Sequence, residues 1–118
     1  MGNDWEQNLT IVAHKLRAVK KVVLEGADSY TINPNEYNIL NDLNYNVIIN
    51  MGDEIDPSVV SMYIVKLTIA AGLTDLPSVE FNGWKNLKWY TGTAPTYVAG
   101  GTYEITIIDN VALWTEIQ

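Results

Sequence analysis

The N-terminal part of the chain has the hydrophobic period of an amphipathic helix. Between Trp5 and Val23 the apolar residues recur alternately every four and every three positions, which is the seam of a heptad repeat. Asn3 is placed to cap such a helix, and Gly26 is a natural stop. The pattern predicts a helix within residues 1–26.

The apolar stripe of this helix needs cover, because an isolated helix of about 20 residues is marginal in water. One cover is the same helix in other copies, forming a short coiled-coil stalk. Leucine at one seam position and β-branched residues at the other favour three or more strands. The alternative is that the stripe packs on the chain's own β region, and Val22–Leu24 also fit the start of a strand. The predicted oligomer interface consists of Trp5, Leu9, Val12, Leu16, Val19 and Val23.

Beyond Gly26 the hydrophobic period changes to two, as in half-buried strands. Tyr45, Val47 and Ile49 alternate with polar neighbours, and residues 62–71 form a long apolar run of strand character. Short strands at this spacing, with no second helix, predict an antiparallel β-sandwich of the jelly-roll kind. The chain is therefore predicted to be mainly β. An N-terminal helix for assembly or anchoring (residues 1–26) would precede a β-sandwich head (residues 27–118). The predicted turns are Asn33-Pro34-Asn35, Asn82-Gly83 and Asp109-Asn110.

Composition and charge exclude several classes of function. A length of 118 residues suits one domain, and the lack of cysteine excludes disulfides and thiolate chemistry. No apolar run approaches the roughly 20 residues of a membrane span. The net charge is −7, and residues 27–118 hold three basic against eleven acidic side chains. We therefore expect neither nucleic acid nor a membrane as a partner.

The chain offers no arrangement of residues that indicates catalysis. No nucleophile has a base beside it, and no group of residues has metal-ligand spacing. Gly92, Gly100 and Gly101 are not followed by the Lys-Ser/Thr of a phosphate loop, and we interpret them as hairpin glycines. Glycoside hydrolysis would need paired carboxylates, and the acidic residues are scattered over turns and strand ends. We expect a protein that is not an enzyme and uses no cofactor and no metal.

Aromatic residues are concentrated between Trp84 and Tyr103. Such a cluster suits a platform on which sugar rings stack, because aromatic faces bind the apolar faces of ligands. The alternative is that these side chains belong to the core of the sheet. The predicted ligand-binding residues are Trp84, Trp89, Tyr90 and Tyr97.

The C-terminal third resembles a β module found at the end of bacteriophage virion structural proteins. That module reads W-x-x-G-x-x-P-x-x-x-x-G-x-x-Y, followed by an aliphatic strand, a polar turn and a final apolar strand. Upstream, Pro34–Ile39 resembles its opening strand. Residues 62–72 resemble its central strand, with Val65 and Leu67 replacing two aromatics. The matching residues in the tail are Trp89, Gly92, Pro95, Gly100 or Gly101, Tyr103, Ile105, Ile107, Asp109-Asn110 and Leu113-Trp114.

The resemblance implies a non-enzymatic domain of a head fibre, tail fibre or capsid decoration, usually a homotrimer. Its location would be the virion, after production in the cytoplasm of the bacterial host. The implied partners are other copies of the chain, other virion proteins such as capsid or tail, and in some cases a glycan of the host surface. The chain departs from typical tail fibres in lacking their long shaft, which favours a small head fibre, a decoration protein or a tail-tip adaptor.

Overall fold

The structure, a computed structural model, describes residues 19–52, 58, 60–83 and 86–117. Within these residues the protein is all β and contains no helix. The nine strands are β1 Lys20–Val23, β2 Ser29–Ile32, β3 Glu36–Leu43, β4 Val47–Met51, β5 Met62–Ile69, β6 Val79–Asn82, β7 Lys88–Trp89, β8 Thr102–Ile108 and β9 Val111–Ile117.

The strands form two sheets that share one core. The larger sheet has the order β1-β3-β5-β8-β9-β7, and the smaller sheet has the order β2-β4-β6. Successive strands of the first six therefore alternate between the sheets. Within each sheet these strands pair in parallel. In the larger sheet β1 pairs with β3 and β3 with β5, and in the smaller sheet β2 pairs with β4 and β4 with β6.

This alternation makes the first six strands a β-solenoid of three turns. Each turn contributes one strand to the larger sheet and one to the smaller sheet, and then stacks on the next turn. The connections within and between turns differ in length, from the short loop between β2 and β3 to the long segment between β4 and β5. The solenoid therefore has no fixed repeat length in the sequence.

A C-terminal hairpin completes the larger sheet. Strand β8 pairs antiparallel with β5, and β9 pairs antiparallel with β8. The short strand β7 adds to the outer side of β9 at Val111 and Ala112. The hairpin therefore extends the larger sheet beyond its third solenoid strand, while the smaller sheet ends at β6.

The core lies between the two sheets and consists of side chains at every second strand position. Strand β5 shows this most clearly, because its residues alternate strictly between half-buried and buried. Burial of these side chains is the main stabilising term of the fold. The buried hydrophobic residues are Leu24, Ile32, Leu40, Leu43, Val47, Ile49, Met51, Tyr63, Val65, Leu67, Ile69, Tyr103, Ile105, Ile107 and Ala112.

The predicted N-terminal helix is wrong where the structure describes it. Lys20–Val23 forms strand β1, whose partner is β3, and Lys20 lies 3.7 Å from the carboxylate of Glu36 across the pair. The spacing that fits a heptad also fits a strand at Val22 and Val23, whose β-branched side chains favour extended backbone. The predicted coiled-coil stalk is therefore also wrong, because the described residues contain no helix that could form it. Residues 1–18 lie outside the described part of the chain.

The predicted antiparallel jelly-roll sandwich is also wrong. Five of the seven strand pairings among the described residues are parallel, and only those of the β5–β8–β9 meander are antiparallel. A period of two fixes which side chains are buried but carries no information on the direction of the neighbouring strand. Parallel strands normally need a crossover connection. In this protein the intervening strand, which belongs to the opposite sheet, is part of that crossover connection.

Several individual strands and the turns at Asn35 and Asp109 agree with the sequence pattern, whereas Asn82 of the predicted Asn82-Gly83 turn belongs to strand β6. The run from residue 62 is strand β5, and the last two predicted strands are β8 and β9. Asn35 and Asp109 have φ values of 62° and 58°, the left-handed backbone typical of turn residues. The positions of these strands were therefore predictable, and the order in which they pair was not.

Candidate functional site

The structure describes two of the six residues predicted as an oligomer interface. Val19 precedes β1 in a bend and is half-buried, whereas Val23 is the last residue of β1 and is 49% exposed. Val23 lies opposite Ile39 of β3 rather than on a helical seam. Trp5, Leu9, Val12 and Leu16 lie outside the described residues.

The three predicted ligand-binding aromatics that the structure describes do not form one platform. Trp89 meets Phe81 edge to face at 5.9 Å between ring centroids, and Tyr97 meets Tyr103 in the same way at 5.1 Å. Tyr90 is 75% exposed, and Trp84 lies outside the described residues. The three described side chains therefore have separate surroundings.

The loop between β7 and β8 is held by an aromatic residue of the sheet. Tyr103 is 1% exposed, and its hydroxyl accepts a hydrogen bond from the backbone N–H of Val98 at 2.9 Å. The same hydroxyl donates to the carbonyl of Thr96 at 3.3 Å. From the adjacent strand, the Trp114 indole N–H donates to the carbonyl of Thr93 at 3.3 Å. Two strands of the hairpin thus fix the path of the loop.

Glycine and proline shape the same loop. Gly100 has a φ of 78°, a backbone conformation that glycine adopts without strain. At Gly101 an added Cβ would lie 2.7 Å from the Tyr103 hydroxyl, so a side chain there would displace the group that holds the loop. Pro95 is buried and fixes its own backbone angle. The motif residues near the C-terminus therefore form one structural unit.

We expect Tyr103→Phe to lower the free energy of unfolding by about 1–3 kcal/mol, because the Val98 N–H and the Thr96 carbonyl lose a buried partner. Urea denaturation gives this value directly. Tyr90→Phe removes the same atom from a side chain that is 75% exposed and should change stability by less than about 0.5 kcal/mol. Equal effects of the two substitutions would contradict the role given to Tyr103.

An open groove lies where the smaller sheet meets strand β7. Its volume is ≈ 390 Å³, and Phe81 and Trp89 form its aromatic side. Glu80 and Asn86 supply polar groups at the same groove. This combination of an aromatic surface with adjacent polar groups is typical of shallow carbohydrate sites. The remaining described lining residues are Val79, Leu87 and Ala94.

The outer face of the smaller sheet is polar. It consists of the side chains that point away from the core, namely Ser29, Thr31, Ile48, Asn50, Glu80 and Asn82. The Asn50 amide donates to the Ser29 hydroxyl at 3.1 Å and to the Tyr30 carbonyl at 3.3 Å. One apolar residue among six is usual for a sheet face in contact with water.

The outer face of the larger sheet, which we call the broad face, carries nine apolar and eight polar side chains at its paired strand positions. Its polar residues are four threonines, three lysines and Glu104. Its apolar residues extend from β1 to β9, and Val23, Ile108, Leu113 and Ile117 are more than a third exposed. The apolar set is Val23, Tyr37, Ile39, Met62, Ile64, Ile108, Val111, Leu113 and Ile117.

Polar groups on the broad face bond to one another. The Tyr37 hydroxyl donates to the Glu104 carboxylate at 2.8 Å, reaching across β5. Burial and this hydrogen bond raise the pKa of Tyr37 to about 12. The Thr68 and Thr102 hydroxyls form a second cross-strand pair at 3.0 Å. The sequence did not predict these interactions, because each joins strands whose pairing the hydrophobic pattern does not specify.

The described residues contain no cluster of histidine, cysteine, aspartate or glutamate suited to hold a metal ion. They also contain no helix long and apolar enough to cross a membrane. Comparison with protein-family models, with curated proteins and with solved structures found no match to this chain.

Proposed function

We propose that this chain is a non-enzymatic structural component of a bacteriophage particle, a homotrimeric fibre or decoration protein displayed on the head or tail. The observation that supports the proposal is the loop between β7 and β8. The motif positions that resemble the virion module are the residues that shape and hold this loop, namely Pro95, Gly100, Gly101, Tyr103 and Trp114. In this chain, five of the motif positions thus lie in this loop or bond to it.

The composition of the interior also supports a structural role. The buried side chains of both sheets are almost entirely aliphatic or tyrosine, and the buried polar residues among those described are Asn38 and Ser61. Such an interior stabilises a surface without placing reactive groups beneath it. Strand stacking along a solenoid is also a compact way to build a rigid projection.

The proposal is tested on particles and on the isolated protein. Particles purified by density gradient from cultures that make the chain should yield its peptides in mass spectrometry, in fixed proportion to the major capsid protein across the gradient. The isolated chain should have a light-scattering mass of three times 13.2 kDa. Peptides that remain in the soluble fraction and never sediment with particles would contradict the virion location.

A second candidate function is recognition of a host glycan, which the groove beside Trp89 favours. Trp89→Ala should abolish binding to any sugar that the intact chain retains on a glycan array. Tyr90→Ala is the matched control, since Tyr90 follows Trp89 in the chain but is not among the described residues that line the groove. Retained sugar binding in Trp89→Ala, or no binding by the intact chain, would exclude this groove as the receptor site.

A further inference from the structure

We propose that the broad face of the larger sheet is the surface on which a second copy of this chain packs. This inference rests on the proposed trimeric assembly and assigns its contact surface. It starts from the contrast between the two sheets, which belong to one core but have different outer faces. A sheet face exposed to water is normally polar, as that of the smaller sheet is. The broad face does not follow this rule.

Apolar residues of the broad face form two adjacent rows across the strands, of which one is interrupted only by Thr106. Tyr37 lies opposite Ile64, and Thr106 separates Ile64 from Leu113 in the same row. In the next row toward the start of β5, Met62 lies opposite Ile108, and Ile108 opposite Val111. Contiguous exposed apolar area of this kind marks contact surfaces, because leaving it in water is unfavourable.

Four polar side chains of the broad face already bond to one another, which lowers the cost of removing water from them. The Glu104 carboxylate accepts the Tyr37 hydroxyl, and Lys66 lies directly opposite it on β5. Thr68 and Thr102 bond to each other. Removing water costs most when it leaves a polar group without a partner. The Tyr37–Glu104 and Thr68–Thr102 pairs keep their partners when the surface is covered.

Charge favours a second copy of the chain as the partner. The broad face carries Lys21, Lys66 and Lys88, which are three of the four described lysines, but only one of the nine described acidic residues, Glu104. The chain as a whole has a net charge of −7. In a closed trimer each contact joins two different patches. The basic face of one copy can therefore meet an acidic surface of the next, a complementarity that favours association.

The test compares two substitutions to glutamate at similarly exposed aliphatic side chains, one in each sheet. Leu113→Glu places a carboxylate on the broad face at a side chain that is 38% exposed. Ile48→Glu places one on the outer face of the smaller sheet at a side chain that is 37% exposed. Light scattering at a concentration where the intact chain is trimeric should give a mass of 13.2 kDa for Leu113→Glu. Ile48→Glu should keep the trimer mass.

Each other outcome overturns the inference. A trimer in Leu113→Glu would place the contact elsewhere, and loss of the trimer in both variants would indicate a general effect of added charge. A monomeric intact chain would mean that the broad face is covered by something else, such as residues 1–18 or another virion protein. Sedimentation of the chain with particles would still support the virion location in that case, so the two proposals fail separately.

A second measurement covers the case in which Leu113→Glu does not fold. The chain has no cysteine, so a single introduced cysteine carries a spin label at one known position. At Thr106→Cys, beside Ile64 and Leu113, the label should lose mobility as the protein concentration rises and copies associate. At Glu80→Cys, on the smaller sheet, its mobility should not depend on concentration. A concentration-independent label at Thr106→Cys would overturn the inference.

Discussion

Asn38→Asp should destabilise the protein by about 3–5 kcal/mol at neutral pH, because it places an unpaired charge in the core. Asn38 is 1% exposed. Its amide nitrogen donates to the carbonyls of Ile64 at 3.0 Å and Glu36 at 3.3 Å. Among the described residues no group donates to its side-chain oxygen. A carboxylate at this position would face two carbonyl oxygens with no donor to neutralise it.

The same substitution should make stability depend on pH in a defined direction. Burial favours the neutral acid, so the pKa of the aspartic acid in the folded variant lies above the unfolded value of about 3.9. The variant is therefore most stable below about pH 4 and loses stability as the pH rises through the folded pKa. Urea denaturation at pH 4 and pH 7 measures this difference.

Asn41→Asp is the control for Asn38→Asp, because it adds the same charge to the same strand at an exposed side chain. Its effect should stay within about 0.5 kcal/mol at both pH values. If the two variants had the same stability at pH 7, Asn38 would not be held in the core as described. A chain that is unfolded at pH 7 and regains its β circular dichroism at pH 4 would agree with the prediction.

The second large effect is expected for Leu67→Ala, which should lower the free energy of unfolding by about 2–5 kcal/mol. Leu67 is fully buried and lies in β5 between Leu40 of β3 and Tyr103 of β8. Truncation leaves a cavity at the junction of the solenoid and the hairpin, and the rigid strands on both sides cannot close it completely.

Leu113→Ala is the matched control for Leu67→Ala, since the same atoms are removed from a side chain that is 38% exposed in β9. It should cost less than about 1 kcal/mol in dilute solution, where the broad face is not covered. Thermal and urea unfolding of both variants below the association concentration supply the comparison. Similar losses in the two variants would mean that the core is not centred on β5.

The sequence predicted which residues form strands because a period of two is a local property. Met62–Ile69 alternates so regularly that its buried side follows from the pattern alone. Parallel pairing is not local, since Tyr37 meets Ile64 only because the intervening strand β4 crosses to the other sheet and the chain then returns. The variable connections between turns hide the repeat that would have indicated a solenoid. At Val22 and Val23 the spacing of apolar residues fits both a helix and a strand. Pairing with the edge of β3 favours the strand.

The candidate functional surfaces were predictable to different degrees. The glycines and aromatics of the loop between β7 and β8 were evident as a motif, and the structure shows that Tyr103 of this motif holds the loop. The broad face was not evident, because it is assembled from alternate residues of five longer strands and the short β7. Its composition becomes visible only when the register between Ile64, Thr106 and Leu113 is known. The groove at Phe81 and Trp89 likewise joins two sheets.

The stacking of turns means that the length of the solenoid depends on the number of its turns. Each solenoid strand pairs only with its neighbours in the stack, and stacked strands lie about 4.8 Å apart. Insertion of one further turn between β2 and β3 would therefore lift the hairpin and its loop by about that distance while leaving their contacts unchanged. Evolution could therefore change the length of the solenoid in equal steps of one turn, without changing the residues of the hairpin at its end.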